Sequence, residues 1–381
     1  MINITSKLPQ VGTTIFTVMS ALAKEHNAIN LSQGFPDFDC DPQLIKLIHK
    51  QMKDGNNQYA PMPGVLALRE ILAKKIEHLH SSTYHPETEI TITAGGTQAI
   101  FTALCAIIRP NDEVIIFEPA YDSYAPTVKA LGGLVKSFEM APPDFKIDWS
   151  YVKKLISTDT KMIIVNSPHN PTGTILKDED IKELINITKN TDILILSDEV
   201  YEHIIFDNHK HRSLAAYPEL KERTFVVSSF GKLFHTTGWK IGYCCAPELL
   251  MNEFRKIHQY NVFSVNTPIQ LAIAEYLKNS EVYLQLSEFF QQKRDFFRNI
   301  LSETRFRLLP CEGSYFQNVT YENISDKKDT KFSIDLLKNN KVACIPNSVF
   351  YTRGTDYKTL RFCFAKKQET LEKAVEKLLK L

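Results

Sequence analysis

Residues 192–201 read Asp192-Ile193-Leu194-Ile195-Leu196-Ser197-Asp198-Glu199-Val200-Tyr201. An unbroken apolar run of this length is expected to be a strand buried on both faces, as in a parallel sheet covered by helices. It ends on Asp198, and an isolated buried carboxylate is costly, so this acid needs a partner or strong hydrogen bonds. A helix N-cap is the ordinary alternative. If a helical turn begins here, Tyr201 lies three residues on, so an acid and a phenol face one ligand.

Working outward, similar runs recur from about residue 87 to 245 and alternate with longer amphipathic stretches. Strands are expected over Glu89–Thr93, Glu113–Phe117, Lys161–Asn166, Asp192–Ser197, Thr224–Ser228 and Lys240–Cys245. Helices are expected up to Ile108 and from Lys177 to about Thr188. Such alternation implies a largely parallel sheet with helices on both faces. Beyond Thr267 the pattern changes to long helices over 267–305, then short strand-like pieces around Tyr315–Thr320, Val342–Ile345 and Thr359–Phe364, and a last helix from Gln368. This reads as a smaller α+β domain. The first forty residues are polar and loop-like and are expected to join it.

Ligands of open parallel sheets bind beyond the carboxyl ends of the strands. Four strand ends carry polar groups there. Ala94-Gly95-Gly96-Thr97-Gln98 is a glycine turn entering a helix, whose free N–H groups can hold an anion. Asp198 and Tyr201 form the second group. The third is Asn166-Ser167-Pro168-His169-Asn170-Pro171-Thr172-Gly173, in which Asn170 precedes proline and offers its amide. The fourth is Ser228-Ser229-Phe230-Gly231-Lys232-Leu233-Phe234. Lys232, set among Ser, Gly and Phe, needs a partner or a suppressed charge, and both conditions suit a lysine that forms Schiff bases. Pyridoxal 5′-phosphate uses all of these groups, through its phosphate, ring nitrogen, phenolic oxygen and aldehyde.

The rest of the composition narrows the function classes. The 381 residues are 43% hydrophobic and 23% charged with a net charge of +1, so no basic stripe invites nucleic acid or anionic lipid. No apolar run is long enough to span a bilayer, and Met1-Ile2-Asn3-Ile4-Thr5 lacks the apolar core of a signal peptide, so a cytoplasmic protein is expected. The seven cysteines, Cys40, Cys105, Cys244, Cys245, Cys311, Cys344 and Cys363, form no CxxC pair. They argue against a disulfide framework and against a metal site. A nicotinamide oxidoreductase is disfavoured because no GxGxxG follows a strand.

The chain resembles the fold-type I, class I pyridoxal-phosphate-dependent aminotransferases, within them the bacterial methionine aminotransferases and the kynurenine aminotransferase/glutamine transaminase K subgroup. The resemblance is carried by Asn30-Leu31-Ser32-Gln33-Gly34-Phe35-Pro36, Asn57-Gln58-Tyr59-Ala60-Pro61, the strand-end motifs above, Val262-Phe263-Ser264-Val265-Asn266 and Leu360-Arg361-Phe362-Cys363-Phe364. It covers essentially the whole chain. It implies an α/β fold with a mostly parallel seven-stranded sheet between helices, and three regions: residues 1–45 as arm and part of the small domain, 46–275 as the large cofactor-binding domain, and 276–381 as the small domain.

The same resemblance implies roles. Lys232 would link the cofactor, Asp198 would pair with the ring nitrogen, Asn170 and Tyr201 would bind the ring oxygen, and Tyr121 would stack on the ring. Gly96, Thr97, Gln98, Ser229 and Lys240 would hold the phosphate, joined by Tyr59 from a second subunit, so a homodimer with active sites at the interface is expected. Many relatives carry Arg where Lys240 stands, and a lysine offers a point charge rather than a fork. Arg361 would clamp the substrate α-carboxylate with help from Gly34 and Asn170, while Phe16, Phe263 and Phe350 would line or rim an aromatic pocket. The implied reaction is ping-pong transamination between an amino acid and a 2-oxo acid, with methionine first and aromatic amino acids or glutamine next. A β-lyase acting on cysteine conjugates would use the same site.

Overall fold

A computed structural model describes residues 2–381. Seven strands form one sheet in the spatial order Ile90–Thr93, Gly242–Cys245, Thr224–Ser229, Leu194–Asp198, Thr160–Asn166, Glu113–Glu118 and Leu134–Glu139. Gly242–Cys245 runs against both of its neighbours, and the remaining pairings are parallel. The expected architecture is therefore the observed one. Both sheet faces are buried. Ile100, Leu104 and Phe254 pack on one side, and Trp149, Ile181 and Leu184 on the other, as continuous apolar strands require.

A second, four-stranded antiparallel sheet joins Ile345–Pro346, Thr359–Cys363, Phe316–Thr320 and Arg307–Leu308 in that order. It packs beneath the helices Leu286–Leu301 and Gln368–Leu378 through Phe290, Phe297, Phe362 and Leu371.

Three expectations need correction. The first forty residues are not simply loop: Ile15–Glu25 is a helix, with the Thr14 side chain accepting from the Thr17 N–H as its N-cap, and Ile29–Asn30 pairs in parallel with Val342–Ala343. The strand Leu134–Glu139 has no counterpart in the expected set, because it is the sheet's edge and its residues are mostly half-exposed, so the apolar signal is weak. Lys240 is not in a strand; it adopts a left-handed conformation with φ of 54°, and the strand starts two residues later at Gly242.

Register places the site. Asn166 stands beside Asp198, and Asp198 beside Val227, so the ends of three parallel strands open on one edge of the sheet. Gly242 sits between Thr93 and Ser229 on the same edge. A Cβ at Gly242 would fall 2.6 Å from the Ser228 carbonyl oxygen and 2.9 Å from the Gly95 carbonyl carbon. Only glycine lets the strand approach this closely.

Candidate active site

A cavity of about 140 Å³ opens at this edge, lined among others by Gly96, Tyr121, Asn170, Asp198, Tyr201 and Lys232. Its size is near the ~150 Å³ that admits a single six-membered ring. A larger cavity of about 430 Å³ lies on the other side of the Asn166–Asn170 loop. Its lysines, Lys146 and Lys177, are solvent-exposed and paired with Asp144 and Glu312.

Lys232 lies in the single helical turn Phe230–Leu233 that follows the Thr224–Ser229 strand. Its amine donates to the Tyr315 hydroxyl at 2.7 Å and to the Gly34 carbonyl at 3.1 Å. Burial pushes this amine down to about 8, and the nearby Lys240 and Arg361 charges push the same way. A large fraction is thus neutral near pH 8, as a nucleophile or proton acceptor requires.

Asp198 is 3% exposed. The Tyr124 hydroxyl donates to its Oδ2 at 2.5 Å and the Val200 N–H donates to its Oδ1 at 3.3 Å. Burial pushes the carboxyl up to about 6, against those two hydrogen bonds and the Lys232 charge. No cation forms a salt bridge with it among the described residues. A buried carboxylate in that state is matched to a ligand that brings its own N–H⁺.

At the glycine turn, Gly95 has φ of 83° and caps the helix Gly96–Ile107. A Cβ at Gly95 would lie 3.4 Å from Lys240 Nζ, so the lysine head and the free helix N–H groups converge, with Ser229 alongside. This is an anion site made of backbone dipole and charge. Tyr121 lines the cavity and shares a 3.1 Å hydrogen bond with Thr97. A ring-sized space with an amine, a carboxylate and an anion cradle around it fits pyridoxal phosphate.

Arg361, 1% exposed, donates through Nη1 to Asn170 Oδ1 at 2.8 Å and through Nη2 to the Ser32 carbonyl at 3.1 Å. Its Nε has no partner. The guanidinium carbon lies 4.0 Å from the Phe316 ring centroid, 5.2 Å from Phe350 and 5.3 Å from Phe16. Burial lowers its pKa to about 10, so it stays charged at neutral pH inside an aromatic surround.

Other expected residues sit differently. The Gln98 side chain turns away from the cavity, accepting from the Ala94 N–H and donating to Thr102, so only its backbone is available to a ligand. Tyr59 and Phe263 do not line the cavity of their own chain. They are exposed and meet edge to face at 5.3 Å. At Gly34 it is the carbonyl that is engaged, by Lys232 and Tyr315.

Tyr124, Tyr315 and Asn166 were not singled out from sequence. Tyr124 stands three residues after Tyr121, at the start of the helix Tyr124–Ala130, and the two rings meet at 5.7 Å. Asn166 ends its strand and holds the next loop, donating to the Asp198 carbonyl and accepting from the Asn170 N–H.

Comparison with known proteins assigns the family. The profile of the family described as Aminotransferase class I and II matches residues 26–378. The methionine aminotransferase of Escherichia coli is 49% identical over 377 residues, covering 99% of this chain and 98% of that protein. A solved Escherichia coli structure described as having a methionine aminotransferase function superposes with a TM-score of 0.98 at 49% identity, over 100% of both chains. Kynurenine–oxoglutarate transaminase 1 of Rattus norvegicus is 30% identical over 98% of this chain and 97% of its own.

Proposed function

The chain belongs to the class I and II aminotransferases, a family that uses pyridoxal 5′-phosphate, and on that premise we propose that it transfers the amino group of methionine to a 2-oxo acid. Aromatic amino acids and glutamine are the secondary donors. The observation that carries the choice of methionine is the 49% identity with a methionine aminotransferase along nearly the full length of both chains. The apolar surround of Arg361, formed by Phe16, Phe316 and Phe350, supports it, since a thioether packs well against aromatic rings. β-Elimination from cysteine conjugates gains no support from these relatives.

Bound pyridoxal phosphate supplies an aldehyde that condenses with amines and a protonated ring that takes up electron density. The residues divide the remaining work. Lys232 is the amine that engages the aldehyde and moves the proton at the α-carbon of the amino acid, a role supported by its lowered pKa. Asp198 keeps the ring nitrogen protonated, supported by its burial without a cationic partner. Asn170 and Tyr201 bind the ring oxygen, and Tyr121 covers the ring. Gly96, Thr97, the Gln98 backbone, Ser229 and Lys240 hold the phosphate. Arg361 takes the α-carboxylate as a bidentate pair and Asn170 orients it, supported by the 2.8 Å bond between them.

Tyr59 and Phe263 belong in this scheme to the neighbouring active site of a homodimer, a reading supported by their exposure together on the surface. The division at 45/46 and 275/276 accompanies it, with residues 1–45 joining the small domain; the pairing of Ile29–Asn30 with Val342–Ala343 supports that attachment. Among the described residues no helix is long and apolar enough to cross a membrane, and a cytoplasmic location is part of the proposal. The test is a donor panel of methionine, phenylalanine, kynurenine, glutamine and aspartate against several 2-oxo acids. Methionine should give the highest kcat/KM; aspartate as the best donor would contradict the reading.

A further inference from the structure

The amine of Lys232 is held by two acceptors, and one of them has no part in the scheme above. Nζ donates to Tyr315 Oη at 2.7 Å and to the Gly34 carbonyl at 3.1 Å. The Tyr315 hydroxyl donates to that same carbonyl and also meets the Tyr201 phenol, so toward the lysine it acts through its oxygen lone pairs. A neutral amine has two hydrogens and one lone pair. With both hydrogens taken by Gly34 and Tyr315, the lone pair is left pointing away from them. Tyr315 is itself immobilised: it is 1% exposed and its ring meets Tyr201 at 5.1 Å, Phe316 at 4.9 Å and Phe290 at 5.8 Å. Burial holds its phenol well above the usual tyrosine range, so it keeps its proton.

We propose that Tyr315 is a further catalytic residue, whose phenol oxygen aims the lone pair of the freed Lys232 amine toward the substrate and steadies the ammonium that forms. In that step the C–H bond at the α-carbon breaks, its proton passes to Nζ, and its electron pair stays with the substrate. Tyr315 gains and loses no proton; it turns a flexible amine into an oriented base, and orientation of a reacting group is a large part of rate. The inference rests on the reading of Lys232 as the proton-carrying amine.

Tyr315→Phe removes the oxygen and keeps the ring contacts, so the fold is retained and packing is unchanged. Two measurements separate an orienting phenol from a packing ring. The first is a single half-reaction of the cofactor-loaded protein with methionine, protiated or deuterated at the α-carbon, followed by the loss of visible absorbance. The second uses the cofactor-free protein, titrating the labelling of Lys232 by an amine-directed reagent against pH, with mass spectrometry as readout. The groups facing this amine are Lys240, Arg361, Asp198, Cys363 and Tyr201; of these only Tyr201 also meets the Tyr315 hydroxyl, and Tyr201→Phe measured alongside separates its contribution.

The expected result is a half-reaction slowed about tenfold to a hundredfold, the size of one lost hydrogen bond to a charged group. The deuterium effect should exceed the parent's, cofactor content should equal the parent's, and the labelling midpoint should move to lower pH because the ammonium has lost an acceptor. A parental rate would overturn the proposal. So would a slowed rate with the isotope effect and the labelling midpoint both unmoved, or one accounted for by lost cofactor. If the parent protein itself shows no methionine-driven change, the choice of methionine fails, and the same half-reaction with phenylalanine or glutamine as donor decides the role of Tyr315.

Discussion

The hydroxyl of Tyr124 donates to Oδ2 of Asp198 across 2.5 Å, although 74 residues separate them in the chain. This bond and the Val200 N–H favour the ionised carboxylate, yet burial outweighs both and holds the group near 6. Folding therefore places a carboxyl group where, above that pH, its charge costs stability. Such a cost is typical of a site shaped for a charged ligand.

The sign of the pH effect follows. In the unfolded chain an aspartate gives up its proton near pH 4, whereas folded Asp198 keeps it to about 6. The folded state binds more protons between those values, so this group's contribution to stability falls as pH rises through the window and stays low above it. Asp198→Asn does not titrate. In cofactor-free protein it should match the parent near pH 4 and exceed its stability by on the order of 2 kcal/mol above about pH 6, measured by urea unfolding at both pH values. In the loaded enzyme the same variant should lose orders of magnitude in kcat. A stability difference independent of pH would show that Asp198 is not the strained group.

Lys240 should discriminate by phosphate. Its ammonium sits at the glycine turn near Gly95, and a charge-assisted contact there is worth about 1.5–3 kcal/mol. Lys240→Gln should weaken pyridoxal 5′-phosphate binding about tenfold or more while leaving the affinity for phosphate-free pyridoxal nearly unchanged. Equilibrium titration by absorbance or calorimetry measures both. Equal losses for the two ligands would remove Lys240 from the phosphate site.

Arg361 should act on substrate rather than cofactor. Lysine in its place cannot keep both the Asn170 and Ser32 contacts and offer a fork to a carboxylate. Arg361→Lys should raise KM for methionine about tenfold or more, with cofactor content at the parental level. Asn170→Ala should raise it less, because the guanidinium remains. Steady-state kinetics at fixed oxo acid, with cofactor content determined by absorbance, decides this.

The ends of the buried strands were readable because a continuous apolar run stopped at polar residues, as at Asp198; Asn166 closes its strand in the same way, but only Asn170 beyond it was given a role. A lysine lodged in apolar sequence announced Lys232. Contacts between distant segments were not readable. Tyr315 reaches Lys232 across 83 residues and Tyr124 reaches Asp198 across 74, and no local pattern marks either pairing. The helix Ile15–Glu25 escaped notice because polar sequence on both sides masks its Ile15, Met19 and Leu22 stripe. Tyr59 and Phe263 do not line the cavity of their own chain, and their proposed place in a second copy's site came from the resemblance rather than from any local pattern.

In the proposed scheme one lysine, Lys232, carries the aldehyde. The direct measurement is reduction of the cofactor-loaded protein with borohydride, followed by proteolysis and mass spectrometry, with Lys232→Ala alongside. Reduction should leave one phosphopyridoxyl adduct, on the peptide containing Lys232, and no adduct or visible linkage band in the variant. An adduct on another lysine, or an unchanged band in Lys232→Ala, would contradict it.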